Sequence, residues 1–159
     1  MAKIYRTFKD GKFDGQYTLK EIGGLSDEDV QGMLQMAWMF YSQGKLESAE
    51  VILQGVAAID PDNKLVWGAL GALYSRQNRQ EEALAALNKA VALNPDEISN
   101  YVNRGELLFK LGQVEAAARD FNKALAMDPD CRNSAANRAR LIVAGLGEIM
   151  KMVRPGKTK

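Results

Sequence analysis

Three short proline steps recur at a fixed interval along this chain. They are Asp60-Pro61-Asp62, Asn94-Pro95-Asp96 and Asp128-Pro129-Asp130, and each proline follows the previous one by 34 residues. A fixed period of this length is typical of folds built from repeated supersecondary units. With the proline as position 32, the units are 30–63, 64–97 and 98–131, which abut without a gap or an insertion. This frame predicts where every other residue of the repeat region lies.

Each unit predicts two helices in close contact. Position 8 holds a small residue in all three units (Ala37, Gly71 and Gly105), and position 20 holds Ala49, Ala83 and Ala117. Larger apolar residues lie at helical spacing between them and are predicted to form the core. The proline ends the second helix. The turn inside each unit is marked by Gly44, Asn78 and Gly112, residue types that tolerate a left-handed backbone.

The second unit resembles the tetratricopeptide repeat (TPR) most fully. The matching residues are Trp67, Leu70, Gly71, Tyr74, Ala83, Leu87, Ala90 and Pro95. The third unit departs from the pattern at Arg104, where a leucine is usual. The resemblance implies an all-α fold, a TPR solenoid of three helix-turn-helix repeats followed by a C-terminal capping helix.

The two ends of the chain lie outside the repeats. Residues 1–25 form an N-terminal extension with several aromatic residues and glycines, which we interpret as either flexible or a self-association segment. Ser26 is a predicted helix N-cap. Residues 132–153 continue as an amphipathic helix, interpreted as a cap on the last repeat or, alternatively, as a partner-docking helix. Residues 154–159 read as a basic tail.

Composition excludes several classes of function. The net charge of +1 supplies no field for nucleic acid or anionic lipid, and no apolar stretch approaches the ~20 residues of a membrane span. A single cysteine, Cys131, favours a reduced, cytoplasmic location. The chain has no histidine, no glycine-rich phosphate loop and no carboxylate cluster with ligand spacing. We therefore expect no enzymatic activity, no cofactor and no metal.

Function is expected on the first helix of each repeat, which lines the concave surface of a TPR solenoid. The inward-pointing positions predict a partner-binding groove made of Leu34, Trp38, Tyr41, Leu65, Gly68, Ala72, Ser75, Arg76, Val102, Glu106, Phe109 and Lys110. The large apolar members would be exposed to water unless a partner covers them. The small residues of the second repeat would leave pockets between them. Such a groove suits an extended peptide with apolar anchor residues. The alternative is that Trp38 and Tyr41 pack against the N-terminal segment or a second copy in a homodimer.

The layout is similar to that of class II chaperones of type III secretion systems. The segment that carries this resemblance is 36–49, MAWMFYSQGKLESA, in the first repeat. The resemblance implies a cytoplasmic chaperone that holds a hydrophobic translocator protein in its groove, with Leu34, Trp38 and Tyr41 facing the client. It also implies dimerisation through the N-terminal region. A general TPR scaffold or assembly subunit with a permanent partner is the other interpretation.

TPR co-chaperones that bind the carboxylate end of heat-shock proteins are a different class. They place lysine and asparagine at positions where this chain has Leu34, Trp38 and Ala69, and basic residues where it has Ser99 and Asn103. The sequence therefore predicts no carboxylate clamp of that type.

Overall fold

The structure is a computed structural model that describes residues 8–9, 12–13 and 17–153, with side chains between residues 19 and 146. Its helices are α1 (Leu19–Gly23), α2 (Asp27–Ser42), α3 (Leu46–Ile59), α4 (Val66–Arg76), α5 (Gln80–Leu93), α6 (Ile98–Lys110), α7 (Val114–Ala126) and α8 (Ser134–Val153). Three two-residue strands precede them: β1 (Phe8–Lys9), β2 (Lys12–Phe13) and β3 (Tyr17–Thr18). They form an antiparallel sheet in the order β1-β2-β3.

The chain divides into two compact units, residues 1–93 and 94–159. The first contains the sheet and α1 to α5, and the second contains α6 to α8. Within each unit, the two helices of a repeat pack against each other as an antiparallel pair: α2 on α3, α4 on α5 and α6 on α7. The predicted all-α fold of three helix-turn-helix repeats is confirmed. We did not predict the strands or α1. The expectation that residues 1–25 are flexible or self-associating remains a prediction, and residues 1–7, 10–11 and 14–16 of this segment lie outside the described part of the chain.

The boundaries of the repeat helices follow the local sequence. Asn78 has a φ of 61°, and Gly44 and Gly112 each have a φ of 76°, so the left-handed turns lie where they were predicted. The predicted N-cap is also confirmed. Ser26 Oγ accepts a hydrogen bond from the backbone N–H of Asp29, and the Asp29 carboxylate accepts one from the backbone N–H of Ser26. This reciprocal pair is a capping box that starts α2.

Close helix contact inside a repeat depends on position 8. A Cβ atom added to Gly71 would lie 2.4 Å from Cγ of Leu87, and one added to Gly105 would lie 2.7 Å from Cε1 of Phe121. The side chain that lies over Gly71 belongs to Leu87 of α5. Both Leu87 and Phe121 are buried. The absence of a side chain on the first helix therefore lets a large residue of the second helix fill the space.

The first two repeats are joined by polar contacts between α3 and the α4–α5 pair. Arg79 Nη1 donates to Glu50 Oε1 at 2.6 Å, and Gln54 Nε2 donates to the Tyr74 hydroxyl at 3.2 Å. The bond from Arg79 holds the pKa of the Glu50 carboxyl below its usual value. The Arg79 guanidinium also lies over the Tyr74 ring at 4.3 Å from its centroid. These contacts fix α3 against the second repeat.

A charged pair replaces an apolar contact in the third repeat. Arg104 donates from Nε and Nη2 to the two carboxylate oxygens of Asp120, both at 2.7 Å. The Asp120 bond raises the pKa of Arg104, and Asp120 itself is buried. The same two positions of the second repeat hold Leu70 and Ala86. The departure from leucine at Arg104 is thus explained by a partner on the facing helix.

The C-terminal helix packs against both helices of the third repeat, as expected of a capping helix. Ala135, Ala136 and Ala139 are buried on its inner face. Arg140 Nη1 donates to Asp128 Oδ2 at 2.9 Å, and this bond is the main reason that the pKa of the Asp128 carboxyl lies below its usual value. None of the helices described here has the length and apolar character needed to cross a bilayer.

Replacing Gly71 with alanine should destabilise the protein by about 1–3 kcal/mol, because the new methyl group overlaps the buried Leu87 side chain. Gly55→Ala is the matched control, since the added Cβ meets nothing within 4 Å in the middle of α3. Because alanine has a higher helix propensity than glycine, Gly55→Ala should stabilise the protein by up to about 1 kcal/mol. Urea titrations followed by circular dichroism measure both. Equal stability of the two variants would contradict the close approach at Gly71.

Arg104→Leu restores the residue that is usual in this repeat, yet it should destabilise the protein by about 3 kcal/mol. It leaves the buried Asp120 carboxylate without its partner. The double variant Arg104→Leu/Asp120→Ala copies the second repeat and should recover most of the loss. The same urea titrations measure the stability of both variants. If Arg104→Leu is as stable as the wild type, the ion pair does not contribute to the packing of α6 on α7.

Candidate functional site

An apolar pocket lies on the first unit, between α2 and α4. Its volume is about 280 Å³. The lining residues are Leu34, Ala37, Trp38, Tyr41, Leu53, Leu65, Ala69 and Ala72. We call this the α2–α4 pocket. Apart from the Tyr41 hydroxyl, every lining side chain is a hydrocarbon or an indole, so the pocket can bind apolar groups by removing their surface from water.

The α2 side of the pocket is aromatic. The Trp38 and Tyr41 rings are stacked, with centroids 5.6 Å apart and planes inclined by 20°. Trp38 leaves 68% of its surface exposed, and Leu65 on the opposite side leaves 58%. Leu34, Trp38 and Tyr41 follow one another at intervals of four and three residues, so all three lie on one face of α2. The pocket therefore has large apolar side chains that water can reach.

The α4 side of the pocket is formed by small residues. Ala69 and Ala72 lie four and seven residues after Leu65, on the same face of α4. Because their side chains end at Cβ, they leave the space that large residues on α4 would have filled. The floor comes from Ala37 and Leu53, both buried core residues of the first repeat.

Arg76 lies beside the pocket, next to Tyr41, without lining it. It is the last residue of α4. Its guanidinium carbon lies 5.0 Å from the centroid of the Tyr41 ring, and Nη1 donates to the Tyr41 carbonyl oxygen at 3.0 Å. The cation over the ring face and the hydrogen bond both hold Tyr41 in place. Trp38 and Arg76 thus both lie against the Tyr41 ring at the rim of the pocket.

The structure brings together five of the predicted residues of the first two repeats, namely Leu34, Trp38, Tyr41, Leu65 and Ala72, in the pocket itself. Gly68 is half-buried on α4 but does not line the pocket. Ser75 is half-buried as well, and its hydroxyl donates to the Gly71 carbonyl oxygen at 2.8 Å, within its own helix. Sequence reasoning missed three lining residues. Ala37 and Leu53 are core residues that also reach the pocket, and Ala69 could have been found from its helical spacing to Leu65.

The third-repeat residues lie in the second unit. Val102 is 0% exposed, so the expectation that it presents a surface to a partner was wrong. Glu106 forms an ion pair with Arg138 of α8, at 2.5 Å from Oε1 to Nε. Lys110 is exposed. Phe109 lines a second cavity of about 320 Å³ between α7 and α8.

The prediction that Trp38 and Tyr41 could instead be covered by the N-terminal segment rests on side chains before residue 19, which lie outside the described part of the chain. No group of three or more histidine, cysteine, aspartate or glutamate side chains that could hold a metal ion occurs among the residues described. The expected absence of a metal or cofactor remains a prediction.

Two sequence models of one family match the chain. Both are described as tetratricopeptide repeat, and they cover residues 34–98 and 70–142, which together include the second and third repeats and all but the first four residues of the first. A comparison with curated proteins finds none that matches significantly.

Several solved structures share the fold. The type III secretion translocator chaperone SycD of Yersinia enterocolitica is 16% identical, with a TM-score of 0.73, over 80% of this chain and 97% of that chain. PcrH comes from Pseudomonas aeruginosa. Its structure in complex with the chaperone binding region of PopD is 21% identical, with a TM-score of 0.71, over 80% of this chain and 97% of that chain. The first TPR of Spaghetti (RPAP3), bound to the HSP90 peptide SRMEEVD, is 26% identical, with a TM-score of 0.66, over 77% and 96%.

Proposed function

Because the chain is a tetratricopeptide repeat protein, we propose that it binds an extended apolar segment of a partner protein in the α2–α4 pocket. The observation that carries this proposal is the stacked pair of Trp38 and Tyr41 at the rim of the pocket, with 68% of the Trp38 surface exposed. Exposed aromatic residues beside a cavity are the usual anchors of protein interfaces. Protein recognition, rather than catalysis, is the role that this fold and pocket support.

The volume of the pocket limits how many side chains of a ligand it can hold. A volume of about 280 Å³ lies just below the usual range of small-molecule sites, about 300–1,000 Å³. It accommodates one or two apolar side chains of a peptide, and more anchors can lie along the rim. Each buried anchor contributes about 1.5–3 kcal/mol before the entropy of ordering the peptide is subtracted. Even three anchors contribute at most about 9 kcal/mol before that subtraction, so the expected affinity is micromolar at best.

We further propose that the partner is a hydrophobic protein held before secretion, so that the protein acts as a chaperone in the cytoplasm. The similarity to SycD and to PcrH, whose structure holds the chaperone binding region of PopD, supports this role. The exposed apolar pocket fits a client whose own apolar segment needs cover. A scaffold with a permanent partner is the second candidate, and the measured lifetime of the complex separates the two.

The HSP90 peptide bound by the Spaghetti domain is not the ligand we propose. Two of the positions that hold lysine and asparagine in carboxylate-binding TPR domains are Leu34 and Trp38 here, and both line the pocket. A carboxylate placed among these side chains would lose its hydration without gaining a partner.

Trp38→Glu should weaken binding of an apolar peptide by more than about tenfold, because it removes an anchor surface and places a charge beside the pocket. The probe is a peptide selected on the wild-type protein from a display library of random nine-residue sequences. Fluorescence anisotropy measures its affinity.

The matched control is Val51→Glu, because Val51 is also an exposed apolar residue, at 71% exposure, and does not line the pocket. It should leave affinity unchanged, and circular dichroism should show both variants folded. The proposal fails if Trp38→Glu binds as tightly as the wild type. It also fails if selection returns no apolar consensus.

A further inference from the structure

The two ends of the α2–α4 pocket differ in charge. At one end, Leu34 and Leu65 also border a neighbouring depression of about 270 Å³ that includes Asp27 and Gln31. Asp27 lies in the first turn of α2, its side chain is 94% exposed, and its partner is Lys20. At the other end lies Arg76, one turn past Ala72. A ligand that fills the pocket therefore meets the Lys20–Asp27 ion pair beyond one end and the Arg76 guanidinium at the other.

Arg76 is held in position but lacks a counter-charge. Its Nη1 group bonds to the Tyr41 carbonyl oxygen, which also accepts the backbone N–H of Gly44 at 3.0 Å. Between residues 19 and 146, no carboxylate lies within 4 Å of Arg76, whereas Arg79 is paired with Glu50 and Glu82, and Arg104 with Asp120. The Nε and Nη2 groups of Arg76 thus keep their capacity to donate to an incoming group.

The guanidinium outweighs the helix ends beside it. The last carbonyl groups of α2 and α4 carry a partial negative charge at this end of the pocket, which opposes an anion. Arg76 already covers one of these carbonyls, that of Tyr41, and adds a full positive charge. A planar guanidinium with a free edge matches a carboxylate in a two-point hydrogen bond. The net preference at this end is for an acid.

We propose that Arg76 is a specificity-determining residue that selects a side-chain carboxylate, from aspartate or glutamate, next to the apolar anchors of the bound segment. The ligand is then an internal apolar segment with an acid on one side, the side that lies against Arg76. This inference rests on the proposed function, since it names the chemistry of the ligand of the same pocket. It differs from recognition of a free chain terminus, because the segment continues past the acid.

The test is the same display selection, repeated on the wild type, Arg76→Gln, Arg76→Glu and the control Arg119→Gln. Arg119 is an exposed arginine of α7 outside the pocket. We expect wild type and Arg119→Gln to enrich aspartate or glutamate on one side of the apolar anchors. Arg76→Gln should lose that enrichment, and Arg76→Glu should replace it with lysine or arginine. The displayed peptides are fused at their carboxyl ends, so a terminal carboxylate cannot produce the signal.

A direct measurement completes the test on one peptide from the wild-type selection. Changing its acid to glutamine should weaken binding to the wild type about two- to fivefold, the range of an exposed ion pair, and should not change binding to Arg76→Gln. Raising the salt concentration should reduce the effect. Apolar enrichment without an acid preference overturns the role of Arg76 while leaving the pocket proposal intact. Loss of apolar enrichment on the wild type overturns the proposed function itself.

Discussion

The close contact of two helices at a residue without a side chain determines how each of the last two repeats is built. Gly71 lies beneath Leu87 and Gly105 beneath Phe121, at the same two positions of consecutive repeats. Each contact orients the first helix of its repeat, because only one face of that helix can approach the second so closely. In the second repeat this commits the Gly71 face of α4 to the core. A different face of α4, with Ala69 and Ala72, is left to line the pocket.

The pocket exists because the side chains on the two helices that border it are unequal in size. Along α2 the rim residues Leu34, Trp38 and Tyr41 are bulky, and on the α4 side Leu65 is followed by Ala69 and Ala72. Large residues on both sides would have closed the space, and small residues on both sides would have left a shallow surface with little apolar area to bury. The arrangement keeps Trp38 exposed to water, which opposes the tendency of apolar surface to be buried. A ligand that covers Trp38 removes this apolar surface from water.

The sequence was sufficient for the repeat helices, but it did not predict the N-terminal strands or α1 and was only partly sufficient for the site. The repeat period and the left-handed turn residues Gly44, Asn78 and Gly112 gave the helix pairs correctly. The helix frame also gave the directions of Trp38 and Tyr41. It could not give the burial of Val102, because exposure depends on which other residues cover a position and not on its direction alone. The ion pair between Arg104 and Asp120 was likewise hidden, since it joins residues sixteen positions apart on facing helices.

The rigidity of the rim bears on whether the partner is held briefly or permanently. Trp38 stacks on Tyr41, and Arg76 lies on Tyr41 and bonds to its carbonyl oxygen, so the anchor surface is ordered before a ligand arrives. Little side-chain entropy is then lost on binding. The contact area is nevertheless small, because a pocket of about 280 Å³ covers only one or two side chains. Permanent complexes usually bury about 2,000 Å² or more. The pocket alone therefore offers much less contact area than a permanent complex usually buries, which supports the proposed binding of a partner that is later released.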